Sequence, residues 1–165
     1  MAKIVLGAQP DLVVLAGWMH VLGDGFLDPM MRGSPLDAPT GENAGESGKE
    51  EGTSVFPIPV INLHPALPGQ FDGTHAIDRA WDAFHASPSP QITKTGVMVH
   101  RVVRQVDAGE PILVEEIPFI EEETKERFEE RLHSVEWKVI VQATKKILEE
   151  RVQQLGASTG PNLVE

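Results

Sequence analysis

Cysteine is absent from this sequence of 165 residues. Its absence excludes disulfide cross-links, zinc–thiolate sites, iron–sulfur clusters and a catalytic thiol. A chain of this length can bury one ordinary hydrophobic core, so it needs neither cross-links nor a structural metal to fold. We therefore expect one domain that is stabilised by packing.

Basic side chains are scarce. The 14 lysines and arginines stand against 25 aspartates and glutamates, which gives a formal net charge of −11 and a sequence pI near 4.9. Nucleic acids and anionic membranes are bound through basic surfaces, so neither is an expected partner. An anionic substrate would have to be held by local hydrogen-bond donors against an unfavourable overall field.

Long hydrophobic runs are also missing. The longest run, residues 12–17, is far shorter than the ~20 residues that span a bilayer. The first residues, MAKI, do not begin the apolar core and cleavage site of a signal peptide. The sequence therefore predicts a soluble protein of the cytoplasm.

The beginning of the chain has the pattern of half an α/β unit. Residues 2–9 resemble the end of a helix, and residues 12–16 form an apolar run without alternation. Such a run is typical of a strand that is covered on both faces, as in a parallel sheet. Residues 17–23 follow the carboxyl end of this strand, where open α/β sheets bind their ligands. A chain that opens on the end of a helix is expected to lack something upstream.

The pattern continues after a polar interruption. Residues 32–54 are rich in glycine, serine, glutamate and proline and predict a mobile, disordered insertion. Beyond it, the periodicities predict a strand at 58–63, a helix at 76–86, a strand at 96–103, a turn at 106–111, a returning strand at 112–119 and a helix at 122–154. The last segment is either one helix or two helices with a joint near residues 133–134. Residues 157–165 have no periodicity and predict a flexible tail.

Two polar side chains stand where the second predicted strand ends. Asn62 and His64 are two residues apart, so on a strand they project from the same face. Pro65 restricts His64 to extended conformations and holds the pair at a rigid edge of the sheet. An amide and an imidazole that point at one spot can stabilise an oxyanion and exchange a proton, as acyl transfer requires. On spacing alone, a hydrogen-bonded turn is the commoner explanation of such a pair.

Three motifs together resemble those of the folate-dependent formyltransferases. They are DLVVLAGWM at residues 11–19, NLHPAL at residues 62–67 and VDAGEPI at residues 106–112, and KTGVMVH at residues 94–100 is similar to a strand of the fungal-type members. The resemblance extends from about residue 4 to about residue 150 and is to the carboxyl-terminal part of the members that formylate glycinamide ribonucleotide. It implies a Rossmann-like α/β fold with a parallel sheet. It also implies formyl transfer from 10-formyltetrahydrofolate to that ribonucleotide in purine biosynthesis.

By their positions in these motifs, the resemblance implies that Asn62, His64 and Asp107 are the catalytic residues. The substrate amine would attack the formyl carbon, and the tetrahedral oxyanion would meet the Asn62 amide and a cationic His64. A carboxylate at Asp107 favours protonated imidazole and can relay the amine proton through water. Without the resemblance, an aspartate in a Val-Asp-Ala-Gly turn would count as a turn residue.

The resemblance also implies binding residues and no metal. The folate would contact the loop after the first strand and the segment before the aspartate, through Leu15, Met19, His20, Val21, Leu22, Val103, Arg104 and Val106. Ordinary core packing would explain the apolar members of this set as well. Glu136 matches a glutamate that contacts ribose hydroxyls, and His133 takes a position near the phosphate. His75 either lines the site or has a role at the surface or behind the site residues, and His85 and His100 receive no role. No histidine and carboxylate spacing typical of a metal site occurs.

One part of the family pattern has no counterpart in this sequence. It is the first strand of the relatives, with a Gly-Ser-Asn-Gly-type loop and a helix whose amides bind the nucleotide phosphate. We therefore expect residues 1–156 to form a formyltransferase domain without its phosphate-binding segment, as a fragment or from a mis-started gene model, and inactive in isolation. A methionyl-tRNA formyltransferase-like enzyme and a catalytically silent folate-binding fragment are the alternatives. The former carries a basic tRNA-binding domain, which this acidic chain does not match.

Overall fold

The computed structural model describes residues 1–18, 20–32, 57–86 and 89–158. In chain order the elements are α1 (Ala2–Gly7), β1 (Val13–Leu15), α2 (Asp24–Arg32), β2 (Val60–His64), α3 (Ala76–Phe84), β3 (Lys94–Arg101), β4 (Pro111–Pro118) and α4 (Lys125–Ser158). The predicted strands and helices are confirmed, and α2 is an additional helix. Arg32 ends α2, so the predicted insertion otherwise falls on residues 33–54, which lie outside the described residues.

The four described strands form one sheet in the order β1-β2-β3-β4. β1 and β2 are parallel, with Val13 opposite Val60, whereas β2 and β3 are antiparallel, with Asn62 opposite His100. β3 and β4 form an antiparallel hairpin, because the segment between them is too short for the crossover that a parallel pair needs. The α/β class is confirmed. The sheet is mixed, and the prediction of a parallel sheet holds for β1 and β2 only.

β1 lies at an edge of the described sheet. Val13 and Leu15 pack against buried neighbours, while Val14 between them is 39% exposed. The apolar run at 12–16 predicted a strand covered on both faces, and within the described residues the side of Val14 is only partly covered. An unbroken apolar run cannot distinguish a strand that is covered on both faces from one that is covered on a single face, because it contains no polar residue to mark the open face.

The main core lies between the sheet and α4. Its buried members are Ile61, Val97, Val99, Ile117, Phe128, Leu132, Val139, Ala143 and Ile147. The five that belong to α4 recur at steps of four or seven residues, so one face of this helix covers β3 and β4. The core therefore occupies the face of β2 that carries Ile61 and Leu63.

α4 is a single helix that runs from Lys125 to Ser158. It shows no joint near residues 133–134, and the Ser134 hydroxyl donates to the Arg131 carbonyl oxygen at 2.7 Å within the helix. The predicted tail begins too early, since Ala157 and Ser158 belong to α4, and its residues 159–165 lie outside the described residues. A membrane span needs a helix that is both long and apolar, and the described part of the chain contains none.

A second cluster packs α1 and α2 against the start of β2. Its buried members are Ala2, Phe26, Leu27, Met30, Ile58 and Val60. Leu15 and Leu22 pack against this cluster from either end of the loop that follows β1. The loop is thereby held beside the carboxyl end of β2.

Arg151 joins α4 to the segments that lead into β1 and β2. Its buried guanidinium donates to the Pro57 carbonyl oxygen at 2.9 Å and to the Asp11 carboxylate at 3.4 Å. We expect Arg151→Met to lower the free energy of unfolding by about 1–3 kcal/mol, because that carbonyl loses a charged donor. Urea denaturation measures the change, with Lys138→Met on an exposed position of the same helix as the control. Equal losses in the two variants would contradict this role.

Candidate active site

The site lies at the carboxyl end of β2, where core-facing and cavity-facing side chains alternate. Ile61 is buried in the main core and Leu63 packs against it. Asn62 and His64 therefore project from the opposite face. Both line one cavity, which is the placement that their spacing predicts.

A carboxylate reaches this pair from the turn between β3 and β4. Asp107 has a φ of 51°, in the left-handed region that residues other than glycine seldom adopt. Its Oδ2 accepts a hydrogen bond from the Gly73 N–H at 2.8 Å and lies 3.5 Å from Nδ1 of His64. The structure thus brings together the three residues that the motifs single out.

The aspartate turn approaches β3 so closely that only glycine fits at position 109. A Cβ built on Gly109 would lie 1.6 Å from the carbonyl oxygen of Arg101 and 3.3 Å from Nδ1 of His100. Because Gly109 has no side chain, the turn can lie directly against β3. This close approach determines the distance between Asp107 and β2. The sequence marks Gly109 as a turn residue, and only this contact reveals its packing role.

His64 is buried, and both of its ring nitrogens face hydrogen-bond acceptors. Nδ1 faces the Asp107 carboxylate, and Nε2 lies 3.4 Å from the carbonyl oxygen of Gln70. A doubly protonated imidazolium satisfies such surroundings, since it donates from both nitrogens. The contact with Gln70 is long for an N–H···O bond, so a substrate oxygen can replace it.

Asn62 contacts Asp107 and also a histidine to which the sequence assigns no role. Its Nδ2 lies 3.4 Å from Oδ1 of Asp107 and 3.3 Å from Nε2 of His100. His100 is 2% exposed, and its Nε2 lies 3.3 Å from the same Asp107 oxygen. What identifies His100 as a site residue is the pairing of β2 with β3, which places His100 opposite Asn62. That register depends on non-local packing and turn geometry, so neither strand alone reveals it.

The cavity has a volume of about 540 Å³. Its walls include every described residue for which a folate contact is predicted, namely Leu15, His20, Val21, Leu22, Val103, Arg104 and Val106. Met19 lies outside the described residues. Trp18 adds an aromatic ring beside His20, with ring centroids 5.7 Å apart. Sequence reasoning missed Trp18, although it belongs to the first motif.

Arg104 lines the cavity from an exposed position. Its guanidinium lies 2.8 Å from the Asp24 carboxylate and 3.2 Å from that of Asp28, both on α2. The positive charge of Arg104 is therefore shared with two carboxylates. An anionic group of a ligand would have to compete with them for it.

The two residues for which nucleotide contacts are predicted form a pair on α4. Nδ1 of His133 lies 2.5 Å from Oε2 of Glu136, which is largely buried. Both side chains line the cavity that also contains Asn62 and His64. The structure therefore gathers the predicted binding and catalytic residues around one space.

The wall formed by α3 and α4 is acidic. Asp78 and Glu129 line it together with Glu136, and Nδ1 of His75 lies 3.4 Å from the Asp78 carboxylate. A hydrogen bond from the Lys125 ammonium lowers the pKa of the Asp78 carboxyl and raises the pKa of Lys125. Carboxylates repel a phosphate and attract hydroxyl and amine donors. This wall thus suits the sugar and amine parts of a ligand.

One group near the cavity has the spacing of a possible metal site, although the sequence predicts none. His64, Asp72 and Asp107 each place one potential ligand atom within 4.8 Å of the others. The Asp107 carboxylate already accepts hydrogen bonds from Gly73 and Asn62. These contacts support hydrogen bonding as the role of the group.

Comparison with known sequences identifies relatives over most of the chain. The family model described as formyl transferase matches residues 50–144. The chain is 40% identical over 148 residues to a Schizosaccharomyces pombe protein and 41% identical over 146 residues to a Dictyostelium discoideum protein, both named phosphoribosylglycinamide formyltransferase. These alignments cover 90% and 88% of this chain but 59% of each relative. The chain therefore spans about three fifths of the length of the curated relatives that it matches.

Solved structures have a similar backbone. Phosphoribosylglycinamide formyltransferase from Streptococcus pneumoniae matches with a TM-score of 0.65 and 26% identity, over 89% of this chain and 63% of that one. The enzyme of the same name from Bacillus halodurans matches with a TM-score of 0.64 and 26% identity, over 98% and 61% of the two chains. The comparisons of sequence and of structure therefore find similarity to proteins of the same name.

Proposed function

This chain belongs to the formyl transferase family, and from that premise we propose that it transfers a formyl group from 10-formyltetrahydrofolate to the amino group of glycinamide ribonucleotide. The observation that carries the proposal is the convergence of Asn62, His64 and Asp107 on one cavity. The names of the relatives support the choice of substrate. The proposal includes a cytoplasmic location and only small-molecule partners.

The reaction needs an oxyanion stabiliser and a path for one proton. The substrate amine attacks the formyl carbon, a new carbon–nitrogen bond forms, and the bond from that carbon to N10 of the folate breaks. His64 as an imidazolium and the amide NH₂ of Asn62 are hydrogen-bond donors for the tetrahedral oxyanion. Asp107, which lies 3.5 Å from His64, stabilises the imidazolium and relays the amine proton towards N10 through water.

Different residues of the cavity wall fit the two substrates. Leu15, Val21, Leu22, Val103 and Val106 form an apolar wall that suits a pteridine ring. In the wall of the same cavity, the Glu136 carboxylate is an acceptor for ribose hydroxyls, and His133 orients it through the contact of 2.5 Å. The folate supplies the activated formyl group, and the residues of this chain hold and orient it.

We expect Asn62→Ala to lower kcat by about 10²–10³-fold, because the variant loses an oxyanion donor that acts mainly in the transition state. Folate affinity should change little, since the apolar wall remains. Steady-state kinetics and equilibrium dialysis measure the two effects. Gln91→Ala, at an exposed position, is the matched control. Equal losses of kcat and folate affinity would contradict the proposed role of Asn62.

The proposed activity is testable with two proteins. One is the 165-residue chain, and the other is this chain fused to the amino-terminal part of the S. pombe relative, which the resemblance implies contains the phosphate-binding loop. We expect both to bind folate and the fusion to formylate glycinamide ribonucleotide, with tetrahydrofolate as the measured product. A folded fusion that binds folate and forms no formylated ribonucleotide would contradict the proposed function.

A further inference from the structure

Three polar atoms of different residues form a nearly equilateral triangle in the wall of the cavity. Nδ2 of Asn62, Nε2 of His100 and Oδ1 of Asp107 are separated by 3.3, 3.3 and 3.4 Å. Every edge is within hydrogen-bonding reach, although each is long. Which edges carry a hydrogen depends on the protons of the His100 ring.

The neighbouring backbone determines where His100 carries its first proton. Nδ1 of His100 lies 2.9 Å from the carbonyl oxygen of Arg101. A carbonyl oxygen only accepts, so Nδ1 carries a hydrogen and donates it. The remaining nitrogen, Nε2, is the one that faces Asn62 and Asp107, and it is either a bare acceptor or a second donor.

The two states of Nε2 use the Asn62 amide differently. When Nε2 is bare, one N–H of Asn62 bonds to Asp107 and the other to His100, so both amide hydrogens are engaged. When Nε2 is protonated, it donates to Asp107 itself, and the edge between Asn62 and His100 then joins two donors. One N–H of Asn62 is therefore released for each proton that Nε2 gains.

We propose that His100 is a positioning residue that controls how many N–H groups of Asn62 are available to the reaction. This inference rests on the proposed function, in which the Asn62 amide meets the oxyanion. With Nε2 bare, His100 holds the amide turned towards Asp107. With Nε2 protonated, His100 itself donates to Asp107, and the N–H of Asn62 that pointed at Nε2 is free for the developing negative charge.

The charged groups around His100 determine what can change the protonation of its Nε2. From the turn, the Asp107 carboxylate faces Nε2, and on β2 the ring of His64 lies on the other side of that carboxylate. On the strand of His100 itself, the Arg101 guanidinium lies 3.2 Å from Glu150 of α4. Asp107 is thus the counter-charge of His100, and His64 is its competitor for that carboxylate.

NMR spectroscopy of the ¹⁵N-labelled 165-residue chain without substrates tests the exchange directly. During a pH titration, we expect the Asn62 side-chain amide to shift with the midpoint of the His100 ring, while Nδ1 of His100 stays protonated. His100→Gln should abolish this step, because glutamine can accept from Asn62 but cannot take up a proton. His85→Gln, at an exposed histidine outside the cavity wall, should retain it. An Asn62 amide that stays constant, or that follows His64 instead, would overturn the proposal, and wild-type spectra alone decide this.

Kinetics of the fusion protein give a second readout. We expect His100→Gln to lower kcat roughly tenfold with an unchanged KM for the folate, as for the loss of one hydrogen bond in the transition state. In the Asn62→Ala background, the same change should have no further effect. Equal losses in the two backgrounds would overturn the proposal. The NMR experiment needs no catalysis, so its outcome does not depend on whether the proposed function is correct.

Discussion

Replacing Asp107 with asparagine is expected to lower kcat for formyl transfer by about 10²–10⁴-fold and to leave folate affinity nearly unchanged. Asparagine has the size of aspartate and keeps one oxygen that can accept from the Gly73 N–H, which lies 2.8 Å from Oδ2 in the wild type. It lacks the negative charge that faces His64 at 3.5 Å and His100 at 3.3 Å. The imidazolium and the proton relay are therefore lost, while the shape of the cavity is retained.

Single-turnover kinetics of the fusion protein and folate titrations separate these two effects. The matched control is Asp82→Asn, which removes a carboxylate from an exposed position on α3. It should leave both quantities at their wild-type values. If Asp107→Asn weakens folate binding as much as it slows turnover, Asp107 serves to shape the turn, and the catalytic role is wrong.

Replacing Gly109 with alanine should reduce both activity and stability. The added Cβ would lie 1.6 Å from the carbonyl oxygen and 2.7 Å from the carbonyl carbon of Arg101. Because both atoms belong to the backbone of β3, the turn itself has to move, and Asp107 moves with it. A displacement of about 1 Å at a reacting group can cost about 10²-fold in rate, and the strain should cost about 1–3 kcal/mol of stability.

Gly7→Ala is the control for a glycine-to-alanine change. Gly7 ends α1, and a Cβ at this position meets no heavy atom of the described residues within 4 Å. Alanine is the better helix former, so this variant should be neutral or slightly more stable. Thermal unfolding and kcat are measured for both variants. Wild-type kcat in Gly109→Ala would show that the position of Asp107 does not depend on this close approach.

Local sequence patterns predict most of the elements of this fold because those patterns need only neighbouring residues. The apolar steps along α4 and the β-branched run at residues 58–63 are visible in the sequence and are confirmed by the structure. The turn that holds Asp107 and the returning strand are confirmed in the same way. What the patterns could not predict is the antiparallel direction of β3 against β2, so among the four described strands the parallel pairing that the resemblance implied holds for β1 and β2 alone.

The candidate site was predicted to different extents for different residues. Asn62 and His64 belong to one strand, and their common face follows from the alternation of side chains. Asp107 was assigned through the resemblance, since an aspartate in a turn carries no local sign of catalysis. His100 was missed because its contact with Asn62 arises from the pairing of two strands that are 38 residues apart at these positions.

The sequence by itself determined the family, the α/β class and the residue types that the chemistry needs. These depend on composition, on periodicity and on short motifs, all of which a linear chain displays. Only the tertiary structure decided the distances of 3.3 to 3.5 Å that join Asn62, His64, His100 and Asp107. These distances depend on the register of β2 against β3 and on the approach that Gly109 permits, and packing between segments remote in sequence sets both.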